Sequence, residues 1–122
     1  MFTDKSTTKL YVKLNKETAE NSIKWKAIDA PNNITDGSND LIDTIFTLNY
    51  KGKNLAIYQK KYKYYFDEDR WTWDEGIEFS LLTDDYKPLW KSSGHSQALR
   101  DLFETVTRQA SGLDELIQEL LD

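Results

Sequence analysis

The sequence contains no cysteine, a single histidine and no long apolar run, and each shortage removes a class of function. Without cysteine there are no disulfides and no thiolate metal sites, and a reducing compartment is the natural home. With only His95, a Ser-His-Asp arrangement has one possible base. No stretch approaches the roughly 20 apolar residues needed to cross a bilayer. The opening residues MFTDKSTTKLYVK lack the apolar centre of a secretion signal. Five glycines, at positions 37, 52, 76, 94 and 112, are too scattered to make a phosphate-cradling loop. These absences predict a cytoplasmic protein without membrane contact.

What is present fits one ordered domain over residues 1–122, long enough for a single core. Aromatic residues are 13% of the chain and offset a modest aliphatic count, because each buried ring removes a large area from water. Charged residues reach 30% but mix both signs, which argues against disorder. The charge is uneven along the chain. Eleven lysines against seven acids leave residues 1–63 at +4, and five bases against 14 acids leave residues 64–122 at −9. Strands from the two halves lying side by side would pair these charges.

Ser6 to Glu20 fits two periods. Leu10, Val12 and Leu14 alternate as in a strand, while Tyr11, Leu14 and Thr18 share a helical face. The helix formers of KETAEN and its final Asn21, suited to a C-terminal stop, favour a helix. Ser22 to Ala30 alternates as a strand, and Pro31 with NNITDGSND ends it in a loop. Leu41–Tyr50, Asn54–Phe66 and Trp71–Thr83 read as further strands, joined by turns at YKGKN and DEDR. TDDYKPLWK supplies a turn and a short strand ending at Trp90. Ser96 is suited to cap a helix through Ala110, and Ser111-Gly112 separates it from an amphipathic Leu113–Leu121. Both helices are expected to cover the face that carries Trp71, Trp73, Ile77, Phe79 and Leu81. The predicted fold is α+β: an N-terminal helix, a four- to five-stranded antiparallel meander, and two C-terminal helices packed on one face.

The ordered cues I-K-W (Ile23–Trp25), Y-K-G-K-N-L (Tyr50–Leu55) and L-L-T-D-D-x-x-P-L-W (Leu81–Trp90) come with a Tyr/Lys-rich strand. A-L-R-D-L-F-E-T-V (Ala98–Val106) and G-L-D-E-L-I-x-x-L-L (Gly112–Leu121) complete them. The set resembles a widespread, uncharacterised family of small bacterial proteins. Over nearly the whole chain the resemblance implies this fold and a bacterial or phage origin, and no activity.

Patterns that could carry chemistry fare poorly. His95 sits in SSGHSQ, where serines before a helix serve as caps. DGSND (36–40) and DEDR (67–70) lack the full spacing of a calcium loop. Asp85-Tyr86-Lys87 matches the D-x-K of metal-dependent nucleases, with Asp69 or Asp74 as partner, but falls in a turn. Asp74 and Glu78 give no spacing argument for glycoside hydrolysis.

The stretch YQKKYKYYFDEDRWTWDE is the strongest functional signal. Lys60, Lys61 and Lys63 interleave with Tyr62 and Tyr64, a pattern that holds single-stranded nucleic acid by charge and stacking. The acid-rich strand that follows would neutralise those lysines first. The reading that ranks highest is therefore a non-enzymatic protein-interaction domain in an accessory, immunity-like or inhibitor role, needing no cofactor or metal, as monomer or homodimer. Its candidate contact residues are Lys60, Lys61, Tyr62, Lys63, Tyr64, Tyr86 and Trp90. Nucleic-acid binding through the Lys/Tyr strand is the alternative. An acidic nucleic-acid mimic or a metal-dependent nuclease ranks lower.

Overall fold

A computed structural model describes residues 4–35, 39–92 and 94–122. Helix α1 spans Asp4–Ala19. Tyr11, Leu14 and Thr18 are its buried residues, while Val12, which a strand would bury beside Leu10 and Leu14, is 58% exposed. The helical period is the one the core uses. Asn21 ends the helix in the left-handed region, at φ 59°. Its N–H donates to the Thr18 carbonyl at 3.0 Å, and the Ser22 N–H donates to the Glu17 carbonyl at 2.9 Å. These are the paired bonds of a Schellman cap, with asparagine in the place glycine usually takes.

Five antiparallel strands follow in simple meander order: β1 (Lys26–Asp29), β2 (Thr44–Tyr50), β3 (Lys53–Asp67), β4 (Arg70–Leu82) and β5 (Pro88–Lys91). The fold is α+β, with one helix before the sheet and two after it. Strand β1 begins at Lys26 instead of Ser22 because a side chain takes over its backbone groups. Gln109 accepts the Trp25 N–H at 3.0 Å and donates to the Ile23 carbonyl at 2.7 Å. The Trp25 indole turns into the core, where Nε1 donates to Thr18 Oγ1 at 2.9 Å. Strand β2 starts late for a similar reason. Leu41 leaves it to exchange both backbone hydrogen bonds with Lys61 of β3, at 2.8 and 2.9 Å.

The sheet is covered on both faces at its base. On one side Leu48, Leu55, Ile57 and Phe79 pack against Tyr11 and Leu14 of α1 and against Leu99, Leu102 and Val106 of helix α3 (Gln97–Ala110). On the other, Ile45, Ala56, Tyr58 and Leu82 pack beneath Ile34. That residue belongs to α2 (Asn32–Thr35), a short helix inside the segment expected to be an irregular loop. Residues 36–38 of that segment lie outside the described residues. Coverage on both faces explains why Leu55–Tyr58 is a continuous apolar run instead of an alternating one.

Ser96 caps α3 as expected, its Oγ accepting the Leu99 N–H at 3.2 Å. Gly112, at φ 70°, turns the chain into α4 (Leu113–Leu121), and Arg108 pins the turn by donating from Nε and Nη2 to Asp114 Oδ1 at 2.9 and 2.7 Å. Helix α4 buries none of its apolar stripe. Nor do the helices reach the whole tryptophan-bearing face. Phe79 is buried beneath them, whereas Trp71 and Trp73 remain 41% and 44% exposed. The cause is strand length. Strand β2 pairs with β3 only over Lys53–Ile57, and β5 pairs with β4 only over Ser80–Leu82. Beyond that base β3 and β4 continue as a two-stranded arm to the turn at Glu68-Asp69.

Candidate functional site

The arm is where the sequence signal lies. Its pairing is regular, with Tyr58 opposite Glu78, Lys61 opposite Glu75, Tyr62 opposite Asp74, Lys63 opposite Trp73 and Tyr65 opposite Trp71. The tyrosine–lysine strand and the tryptophan–carboxylate strand are thus adjacent. A bulge between Tyr65 and Asp67 precedes the turn. An isolated two-stranded ribbon is marginal in water, so cross-strand contacts must hold this one. On the helix side Lys61 Nζ lies 3.9 Å from Glu75. Lys63 Nζ sits 4.5 Å from the Trp71 ring centre and 5.9 Å from that of Trp73, and the two indoles meet edge to face at 5.3 Å. On the opposite side the Tyr62 hydroxyl donates to Asp74 at 3.1 Å. Each such pair contributes roughly 0.2–1 kcal/mol.

The candidate residues therefore do not form one surface. Strand alternation puts Lys60, Tyr62 and Tyr64 on the α2 side and Lys61 and Lys63 on the helix side. Tyr86 lies in the β4–β5 turn at φ 64°, packed against the cluster under α2. Trp90, in β5, faces the helices with its ring 6.5 Å from Phe79. The arm adds exposed aromatics outside the candidate set: Tyr65 and Phe66, together with Trp71 and Trp73, which were expected to lie under the helices. The signal that could have found them is length. Two strand-like runs far longer than their neighbours must outrun the sheet.

Where the arm joins the sheet, a polar network is buried. Glu78 is 5% exposed. It accepts from the Tyr58 hydroxyl at 2.6 Å and from Lys60 Nζ at 2.8 Å, and Lys91 Nζ lies 3.7 Å away. Because Tyr58 gives its proton to Glu78, the Ser80 hydroxyl, 2.6 Å from Tyr58, is the donor in that contact. Lys60 also faces Asp40 at 3.7 Å, and Lys91 donates to the Ile34 carbonyl at 3.4 Å. The network ties the segment around α2 to the sheet. Beside it a groove of about 310 Å³ is lined by Lys60, Tyr62, Glu78, Ser92 and His95 among others. Ser93, one of the serines around His95, lies outside the described residues. Asp85-Tyr86-Lys87 forms a closed turn, with the Thr83 N–H donating to the Lys87 carbonyl at 2.9 Å. Among the described residues no three His, Asp or Glu side chains gather as a metal site, and no helix is long and apolar enough to cross a membrane.

Burial pushes the Tyr58 phenol far above its ordinary range, and its hydrogen bond to Glu78 adds to the effect. Burial also raises Tyr11, against a hydrogen bond from Ser92 that lowers it. For Lys60 burial alone would lower the pKa, but the hydrogen bond to Glu78 and the charges of Glu78 and Asp40 outweigh it, so the net shift is upward. A group raised on folding stabilises the fold fully below its unfolded pKa and loses that contribution as pH climbs through the folded value. The reference values are 10.0 for tyrosine and 10.5 for lysine. Stability is therefore expected to fall above about pH 10. Urea titrations at increasing alkaline pH check this, and Tyr58→Phe should flatten the slope.

Comparison with protein-family models, with curated proteins and with solved structures gave no match.

Proposed function

We propose that the protein is a non-enzymatic interaction domain that engages a partner protein through the β3–β4 arm, in an accessory, inhibitory or immunity-like role. The observation that carries this reading is the arm's aromatic surface. Tyr64, Tyr65, Phe66, Trp71 and Trp73 are exposed, and none belongs to either core cluster. Aromatic side chains of this kind are the usual energetic anchors of protein interfaces, and their clustering on one projection is costly in water unless something covers it.

The state of the lysines supports protein over nucleic acid as the partner. Lys60 is engaged by Glu78 and Asp40, Lys61 by Glu75, and Lys63 by two indoles. A phosphate would have to displace carboxylates already in place. Glu78 and Lys60, which line the groove beside His95, are committed to each other.

The test is affinity capture with the wild-type chain and with a Tyr64→Ala/Trp71→Ala/Trp73→Ala variant. A protein held by the first and lost by the second, with the variant's melting temperature little changed, is the expected result. Capture that survives the three substitutions removes the arm from the interface. Salt-sensitive binding of a single-stranded oligonucleotide, steep with ionic strength, would transfer the case to nucleic acid.

A further inference from the structure

Along the arm, from Trp71 to Ile77, no described strand pairs with the outer edge of β4. Three independent hydrogen bonds show which backbone groups face it. The Phe79 carbonyl accepts from the Ser92 N–H at 2.8 Å and the Phe79 N–H donates to Ser92 Oγ at 2.9 Å, so Phe79 points away from β3. The Glu75 N–H is likewise turned out of the ladder, donating to Asp74 Oδ1 at 2.8 Å. On the partner strand Lys61 points away from β4, toward Leu41. The β3–β4 register is unbroken from Leu82 to Trp71. Alternation then directs the N–H and C=O of Trp71, Trp73 and Ile77 to the outer edge. No described strand pairs with them there.

We infer that this edge is a docking strip on which an extended, lysine- or arginine-bearing segment of a partner protein adds as a sixth strand. The inference rests on reading the arm as the interaction element and names the form its partner takes. Unpaired strand edges are templates for such addition, with main-chain bonds supplying affinity and alternate side chains specificity.

The charge pattern selects a basic segment. Residues 58–78 carry six acids against four bases, and with Glu78 and Lys60 paired to each other five acids remain against three bases. Trp71 and Trp73 keep over two-fifths of their surface exposed with Lys63 already in place, which leaves room for a second cation on the indoles. The same pattern disfavours a second copy of this chain. Pairing two β4 edges antiparallel so that Trp71 meets Ile77 and Trp73 meets Glu75 sets Asp74 against Asp74.

The experiment uses the full chain, isotopically labelled, with a short alternating Lys–Val peptide as probe. Hydrogen exchange at the Trp71, Trp73 and Ile77 amides should slow by roughly tenfold or more on binding. Affinity should fall at least roughly tenfold for a Glu–Val peptide and for the Lys–Val peptide N-methylated along both edges. Equal binding of the N-methylated peptide overturns strand addition while leaving the aromatic arm as the contact. Protection at the edge that persists in Trp71→Ala/Trp73→Ala overturns the aromatic reading instead. No binding at millimolar peptide overturns the inference, as does concentration-dependent protection of the same amides without peptide, which would make the occupant a second copy.

Discussion

Glu78→Ala is expected to lower the unfolding free energy by about 3 kcal/mol, a large share of what a domain of this size possesses. The loss follows from what the carboxylate leaves behind. Tyr58 and Ser80 are fully buried, and with Glu78 gone their two hydroxyls keep only each other, so that whichever accepts leaves its own proton without a partner. An unsatisfied buried donor alone costs about 1–3 kcal/mol. Lys60 and Lys91 soften the blow, since their side chains are 25% and 36% exposed and can rehydrate. Glu78→Gln retains an acceptor for Tyr58 but turns an NH2 toward Lys60, which can move out to water, so its cost should be about half as large. Glu78→Leu combined with Tyr58→Phe removes the carboxylate together with the buried hydroxyl that it satisfies and should be more stable than Glu78→Ala, because the donor goes with its acceptor. Urea denaturation of the four proteins measures this. A loss under about 1 kcal/mol for Glu78→Ala would mean that water reaches the network and that it does not tie α2 to the sheet.

That network was only half legible in the sequence. Alternation of Trp71, Trp73, Ile77, Phe79 and Leu81 assigned Glu78 and Ser80 to the opposite face, and they are there. The sequence reading placed its cover, the two C-terminal helices, on the tryptophan-bearing face alone. It missed that Ile34, within a segment rich in turn residues, folds down as part of a short helix and seals the base of the sheet. Four residues are too few for a helical period to register, and Asn, Thr and Pro speak for a turn whatever one buried isoleucine does. The C-terminal stop of α1 and the cap at Ser96 were legible because their causes are local: an asparagine that tolerates the left-handed region and a serine hydroxyl just before a helix. The start of β1 was not, since it is decided by Gln109, far away along the chain.

The candidate contact residues show the same division. Pairing of the lysine and carboxylate strands followed from the signs of their charges and the short DEDR turn, and the register bears it out. Their exposure did not follow. Tyr58 looks like the start of a tyrosine ribbon but is fully buried, whereas Trp71 and Trp73 look like core and stand outside it. Periodicity identifies a face, but the lengths of β2 and β5 decide how far along that face the cover extends. Those lengths are set by Leu41 leaving its strand and by β5 ending at Lys91, after which the Ser92 hydroxyl takes the Phe79 N–H, and a hydrophobic pattern encodes neither.

Excising the arm should abolish partner capture while leaving the fold intact, with unfolding free energy changed by no more than about 1 kcal/mol. The cut follows the ladder. Tyr62 and Asp74 exchange their backbone bonds, because Lys61 and Glu75 on either side point outward. Such a pair can flank a two-residue turn, so residues 63–73 can be replaced by Asn-Gly without shifting the register. Neither core cluster loses a member. What is lost is the set of cross-strand contacts of Lys63, Trp71 and Trp73, which offset little more than the ordering of the arm itself. Trp25 and Trp90 remain to report unfolding by fluorescence. If the shortened chain unfolds at a much lower urea concentration, the arm is a structural element whose aromatics stabilise the sheet from outside its core. If it folds normally and still captures the partner, the contact lies elsewhere, and the exposed stripe of α4 becomes the surface to probe next.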